Sequence, residues 1–144
     1  MSTAGDRGPV VVGTNVFGSG LAPKSRIPAD YAQLLAGRPA FVSFQTVAEL
    51  RYGAIRRGWG TVRMLRLDAK VRQAVIVHSG DELIAIAAQL RADCEAAGHA
   101  LCQKQHSADL WIAATAIRLG VPLVSDDGIF RGVPGLVVES VAPA

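Results

Sequence analysis

The chain has 144 residues, enough for one compact α/β domain and too few for two ordinary ones. Half of it is hydrophobic and its mean hydropathy is +0.28, yet no uninterrupted apolar run approaches the ~20 residues of a membrane span, so the excess is assigned to a core. The net charge of +3 is mild, and Cys94 and Cys102 form no CxxC pair and have no histidine at zinc-finger spacing, which argues against structural zinc and for two reduced thiols.

Residues 1–8 contain no apolar leader, so they read as a flexible tail with nothing directing export, and a cytoplasmic location is expected. Pro9 to Val12 is a continuously apolar run, as suits a buried, central parallel strand. It empties into a loop of small residues, Gly13 to Gly20. Pro28 suits the first turn of a helix running to about Ala36, with Gly37-Arg38-Pro39 as its stop. Ala40 to Ser43 is a second strand, followed by a helix from about Thr46 to Arg57, where Thr46 and Glu49 have the spacing of a capping box. Gly60 to about Arg72 is the next helix, with Leu65, Ala69 and Arg72 on one side and Arg63, Arg66 and Lys70 largely on another. Seven of the fifteen Lys and Arg residues fall between Arg51 and Arg72, beside one acid, Asp68. Such a face is either solvated surface or a contact surface for phosphates.

Gln73 to Val77 is a third strand, and Ser79-Gly80-Asp81-Glu82 is a second capping box, opening a helix that reaches roughly Ala97. Leu83, Ile86, Ala87 and Leu90 make its core stripe. Gly98 to Gln105 reads as loop. Ser107 then caps a helix with Asp109 in its first turn and Gly120 as its stop, Val121 to Val124 is a fourth strand, and Leu136 to Val138 a fifth. Strands alternate with helices, so a single α/β domain over residues 9–140 is expected, with a mostly parallel five-stranded sheet covered on both faces.

A helix packed antiparallel beside the strand that follows it brings its N-terminus level with that strand's carboxyl end. Asp109 and the Asp126-Asp127 pair therefore converge at one sheet edge, where open α/β sheets place their sites. Plainer roles exist for each: a first-turn charge for Asp109, a turn for Asp126-Asp127-Gly128, a cap for Glu49. His78, His99 and His106 share no spacing, Trp59 and Trp111 read as packing or interface residues, and Thr14, Ser43 and Ser125 lack the His-Asp pattern that would make any of them a nucleophile.

Four segments in series are more specific. The strand from Val10 leading into Gly13-Thr14-Asn15, then Val47-Ala48-Glu49-Leu50, Asp109-x-x-Ile-Ala-Ala-Thr-Ala116 and Leu123-Val124-Ser125-x-Asp127 resemble, in order and interval, the PIN-domain nucleases, and among these the VapC toxins of bacterial toxin–antitoxin pairs. The resemblance spans Val10 to about Val138. It implies a PIN-like α/β/α sandwich, a Mg2+ or Mn2+ ion held by clustered acids, an RNA substrate (tRNA or rRNA), a cognate VapB-type antitoxin, a homodimer and no membrane association. Glu49, Asp109 and Asp127 correspond to the family's second, third and fourth acids, catalytic and metal-holding, with Asp126 the alternative to Asp127. Ser125 corresponds to the orienting hydroxyl, and Thr14 and Asn15 to the polar residues of the first loop. Arg51, Arg56, Arg57, Arg63 and Arg66 would then form the RNA track.

The acids are needed because a hard divalent cation takes oxygen ligands, neutralises the scissile phosphate and acidifies an attacking water. One is missing: where the family has Asp-Thr-Asn, this chain has Gly13-Thr14-Asn15. The expectation is therefore a metal-dependent endoribonuclease toxin inactivated or weakened at Gly13, by a change of a single base. The competing readings are a catalytically dead PIN-like module that binds RNA or protein, which Gly13 alone supports, and a structure-specific DNA nuclease, which usually carries more acids and extra helices.

Overall fold

Five short parallel strands and six helices build the computed structural model, which describes residues 7–22 and 24–142. In chain order they are β1 (Val10–Val12), α1 (Thr14–Gly18), α2 (Ile27–Leu35), β2 (Ala40–Ser43), α3 (Phe44–Arg56), α4 (Thr61–Gln73), β3 (Val75–Val77), α5 (Asp81–Ala97), α6 (Ser107–Leu119), β4 (Leu123–Val124) and β5 (Val138–Glu139). The sheet runs β3-β2-β1-β4-β5 with every pair parallel, so the apolar run at Val10–Val12 is indeed its centre.

Side-chain alternation along β1 divides the core into two layers. Val11 joins Leu83, Ala87, Leu90, Ile112 and Ala116 of α5 and α6 on one face. Val10 and Val12 join Val16, Phe17 and Tyr31 of α1 and α2 on the other, where Leu50 of α3 also packs. This is an α/β/α sandwich. No helix among the described residues is long and apolar enough to cross a membrane.

Several boundaries differ from those expected, each for a local reason. Gly13 to Gly20 is not an open loop. Val16 and Phe17 are buried and draw the segment into α1, and a 3-10 turn over Ser19–Leu21 follows, with Ser19 Oγ donating to the Val16 carbonyl at 2.7 Å. Helix α3 starts directly after β2 because Ser43 is its cap, its Oγ accepting from the Gln45 amide at 3.1 Å. Thr46 is therefore inside the helix and the Thr46–Glu49 capping box does not form, which leaves Glu49 without that structural duty. Gly80 and His106, not Ser79 and Ser107, occupy the N-cap positions of α5 and α6, without a side-chain cap bond. Residues between α5 and α6 form two 3-10 turns, Ala100–Cys102 and Lys104–His106, and β5 lies one to two residues later than its apolar run. Helix α4 buries Leu67 and leaves Leu65 58% exposed.

Of the expected flexible tail, residues 1–6 lie outside the described residues. Arg7 donates to the Gln33 and Leu34 carbonyls at 2.9 and 3.0 Å, and the Gly8 carbonyl accepts from Arg38 Nε at 2.9 Å. Both cysteines are free thiols.

Candidate active site

Because β1 and β4 are adjacent and parallel, their carboxyl ends share one edge of the sheet, and the chain leaves that edge at Gly13 and at Ser125. Helix α6 runs back antiparallel to β4 and starts at this same edge, carrying Asp109 in its first turn. Here a pocket of about 50 Å³ is lined by Thr14, Asn15, Glu49, Asp109, Ser125 and Asp127, with Ile112 and Phe130 as its apolar wall. The three acids expected from separate stretches of sequence are thus brought together.

Each is held by a neighbour. Glu49 Oε1 accepts from Thr14 Oγ1 at 3.2 Å, and Thr14 Oγ1 lies 3.0 Å from the hydroxyl of buried Thr46. With the Thr14 proton on Glu49, Thr46 donates to Thr14. Asp109 Oδ2 lies 3.4 Å from His106 Nδ1, one helical turn earlier. Asp127 is exposed, and its Oδ1 accepts from the Ile129 amide at 3.0 Å while its own amide donates to Ser125 Oγ at 3.0 Å. Asp126 does not line the pocket: its carboxylate accepts from the Tyr31 hydroxyl at 3.0 Å, on the opposite side of the chain. Successive side chains leaving a strand point to opposite faces, and Ser125 and Asp127 take the pocket side.

Burying the acids alters them, and crowding adds to it. Burial pushes the Glu49 carboxyl above its ordinary value; the Thr14 hydrogen bond offsets part of this, and the charges of Asp109 and Asp127 add to the rise. Asp109 is likewise raised by burial, against the hydrogen bond from His106, with Asp127 again adding to it. A cation in the pocket would relieve both. The donor set is entirely oxygen, which fits a hard divalent cation in kind. Its members stand apart: among the described residues no group of three or more His, Cys, Asp or Glu side chains is placed to hold a metal ion.

Gly13 stands beside this pocket in ordinary extended backbone, φ −71° and ψ 166°, with its amide donating to the Val124 carbonyl at 2.8 Å. Nothing in that geometry requires glycine. A Cβ there would lie 3.3 Å from Val124 O and 3.4 Å from Ser125 Oγ, so a side chain would start against Ser125 at the pocket wall.

A larger groove of about 680 Å³ shares Thr14, Asn15 and Glu49 with the pocket and continues between α1 and the α3–α4 corner. Arg56, Arg57 and Arg63 line it, together with Tyr52 and Trp59. The Arg63 guanidinium stacks 4.0 Å above the Trp59 ring and donates to the Leu21 carbonyl at 2.9 Å. Arg51 and Arg66 do not line the groove, and Arg51 is paired with Asp68 at 2.8 Å. Trp111 packs edge-on against Phe44 at 5.7 Å. The site also contains His106 and Thr46, which sequence reasoning did not place there. His106 lies three residues before Asp109, a helical-neighbour spacing that could have flagged it.

None of the curated proteins matches this chain in sequence. Among solved structures, VapBC2 from Rickettsia felis bound to a promoter DNA fragment is similar at 22% identity and TM-score 0.75, over 91% of this chain and 97% of that one. DNA-bound VapBC from Salmonella typhimurium is similar at 20% identity and TM-score 0.73, over 92% and 97%. FitAcB from Neisseria gonorrhoeae is similar at 26% identity and TM-score 0.68, over 90% and 95%. The family model of the PIN domain matches residues 10–136, nearly the whole described chain, and the chain therefore belongs to the PIN domain family.

Proposed function

We propose that this PIN domain, acting as one unit over residues 9–140, is the toxin of a VapBC-type toxin–antitoxin pair. Its activity is hydrolysis of RNA phosphodiesters with Mg2+ or Mn2+, disabled or weakened by Gly13. One observation carries the reading: Glu49, Asp109 and Asp127 line a single pocket at the carboxyl edge of the sheet, while the central strand ends there in a residue without a carboxylate.

Asp109, Asp127 and Glu49 would hold the cation, which supplies positive charge to the scissile phosphate and acidifies a water. The chain's own groups do the remaining work. Thr14 aims Glu49, His106 steadies Asp109, and Ser125 fixes the backbone at Asp127. Ile112 and Phe130 limit water at the inner wall. Arg56, Arg57 and Arg63 draw the RNA backbone along the groove that ends at Glu49.

One structure to which the chain is similar is described as a toxin-antitoxin complex, which supports an antitoxin as partner here. A basic antitoxin side chain reaching Asp109 or Asp127 would relieve the same carboxylate repulsion as a metal. Tyr52, Ile55, Val62 and Leu65 leave an exposed apolar surface along α3 and α4 that an antitoxin or a second copy would cover, and a homodimer in the cytoplasm is our reading of the assembly.

The test is RNA cleavage by this chain beside its Gly13→Asp form, with and without EDTA. We expect the substitution to raise cleavage by more than the ~10–100-fold that groups supporting a metal ligand are worth, with EDTA abolishing the gain. Gly13 itself favours a second reading, a PIN module kept for binding. A Gly13→Asp chain that binds Mn2+, cuts no RNA and is harmless on expression would establish that reading instead.

A further inference from the structure

Tyr31 is 1% exposed, and its hydroxyl is a junction between the pocket and the end of the sheet. It lies 3.0 Å from Asp126 Oδ1, 3.2 Å from the Ser125 carbonyl and 3.0 Å from Ser140 Oγ, and it accepts from the Val141 amide at 3.3 Å. The phenol has one proton to give, and the carboxylate, closer and charged, is the stronger acceptor. Two of these contacts fall on the residues immediately before Asp127. The other two fall on the segment leaving β5, whose Glu139 carbonyl accepts from the Ser125 amide at 3.2 Å. Ser125 is thereby tied to β5 through its own amide while the next residue, Asp126, is tied to Tyr31, and the Ser125 Oγ in turn accepts from the Asp127 amide.

We propose that Tyr31 is a positioning residue for the active site. By holding the Asp126 carboxylate on the far side of β4 it fixes the alternation that turns Ser125 Oγ and Asp127 into the pocket. The hydroxyl touches neither the pocket nor the groove, so it acts only through Ser125 to Asp127. A one-residue slip or rotation of this exit would exchange Asp126 for Asp127 at the pocket wall, because neighbouring side chains alternate. The adjacent acids make that exchange a real competitor, and the Tyr31–Asp126 bond opposes it.

This inference rests on the metal-dependent ribonuclease reading, so its test uses the Gly13→Asp chain as parent. Tyr31→Phe, Asp126→Ala, Asp126→Asn and the Tyr31→Phe/Asp126→Ala pair are compared for Mn2+ affinity, kcat and KM on RNA, and thermal midpoint. Positioning predicts that Tyr31→Phe and Asp126→Ala each weaken Mn2+ binding and lower kcat by about 10–100-fold, the range for groups that orient metal ligands, with KM for RNA little changed. The double variant should be no worse than either single one, and Asp126→Asn, which keeps an acceptor for the phenol, should retain most of the parent's kcat. A Tyr31→Phe chain that melts earlier but keeps the parent's Mn2+ affinity and kcat would reduce Tyr31 to a packing residue. If Tyr31→Phe fails to fold, the partly exposed Asp126→Ala decides alone, and unchanged affinity and kcat there overturn the proposal. A parent that neither binds Mn2+ nor cuts RNA removes the ribonuclease reading and this inference with it.

Discussion

Gly13 and Ser125 face each other where β1 and β4 leave the sheet, and a Cβ on Gly13 would rest 3.4 Å from both Ser125 Cβ and Oγ. That relationship separates two effects of restoring a carboxylate. The backbone is extended, so Gly13→Ala loses no conformational permission, and the ~0.4–1 kcal/mol gained by restricting the unfolded chain offsets the small shift that Val124 and Ser125 must make. We expect Gly13→Ala to melt close to the parent. Gly13→Asp adds a charge beside Glu49, Asp109 and Asp127 and should melt below Gly13→Ala without metal. Mn2+ at about 100 times its Kd should restore about 2.7 kcal/mol by mass action. Melting curves with and without Mn2+ check this; equal metal response in the Ala and Asp forms would contradict it.

The raised acids make a second expectation, on pH. Glu49 and Asp109 hold their protons more tightly folded than unfolded. Their ionised forms therefore cost stability above the raised folded values, and that cost disappears as pH falls through those values toward the ordinary carboxylate range. Glu49→Gln and Asp109→Asn keep the acceptors for Thr14 and His106 while removing the charge. In metal-free buffer each should raise the thermal midpoint at neutral pH, and the advantage should shrink as pH falls. Melts of parent and variants across that range test it, and a constant difference at all pH values would show that the buried charges are not its source.

What could be read from the chain followed periodicity and order. The unbroken apolar triplet Val10–Val12 marked the central strand because a parallel strand covered on both faces has no polar side. The order of α6 and β4 carried the convergence of Asp109 with the Asp126-Asp127 pair, since a helix returning along β4 leaves little freedom in where its first turn lies, whereas Glu49 was marked only by the family resemblance. Caps were less legible. Ser43, Thr46, Ser79 and Ser107 are all competent, and tertiary placement chose among them: β2 runs straight into α3, so Ser43 caps and Thr46 turns to Thr14 instead. Asp127 was preferred to Asp126 only through the resemblance of Leu123-Val124-Ser125-x-Asp127, because the contact that holds Asp126 away from the pocket is made by Tyr31, 95 residues away. The basic stretch was visible only as a total; Arg51 is spent on Asp68, while Arg56, Arg57 and Arg63 reach the groove.

The Arg38–Glu139 pair supplies a third expectation, on stability away from the site. Arg38 Nη1 and Nη2 donate to Glu139 Oε1 and Oε2 at 2.9 and 3.0 Å, and the arginine side chain is 1% exposed against 27% for the glutamate. Its Nε also holds the Gly8 carbonyl, so one guanidinium ties the chain before β1 to β5. Removing Glu139 strands the buried Arg38 charge, and Glu139→Ala should lose about 3–5 kcal/mol. Arg51→Ala breaks a half-exposed pair and should lose less than about 1 kcal/mol. The Arg38 hydrogen bonds hold the Glu139 carboxyl below its ordinary value, so its contribution is present above that value and lost as pH falls through the lowered folded one. Urea denaturation of the two variants at neutral pH compares the pairs, and similar losses would refute the distinction.

The last expectation concerns the arginines themselves. If RNA lies in the groove that opens from Glu49, its backbone is neutralised by Arg56, Arg57 and Arg63, and not by Arg51 or Arg66, which do not line it. For single strands each phosphate contact contributes roughly 0.7 to the slope of log affinity against log salt. Replacing the three groove arginines with alanine should therefore reduce that slope by about 2 and weaken binding similarly across sequences, since phosphate contacts carry no base information. Replacing Arg51 and Arg66 should leave the slope unchanged. Arg63 also stacks on Trp59 and bonds the Leu21 carbonyl, so its single variant should lose more affinity than its charge alone explains. Fluorescence anisotropy with a short unstructured RNA, in EDTA to suppress cleavage, measures both sets. Equal slopes for the two sets would place the RNA outside this groove, and a loss confined to Arg51 and Arg66 would move the track to the other side of α4.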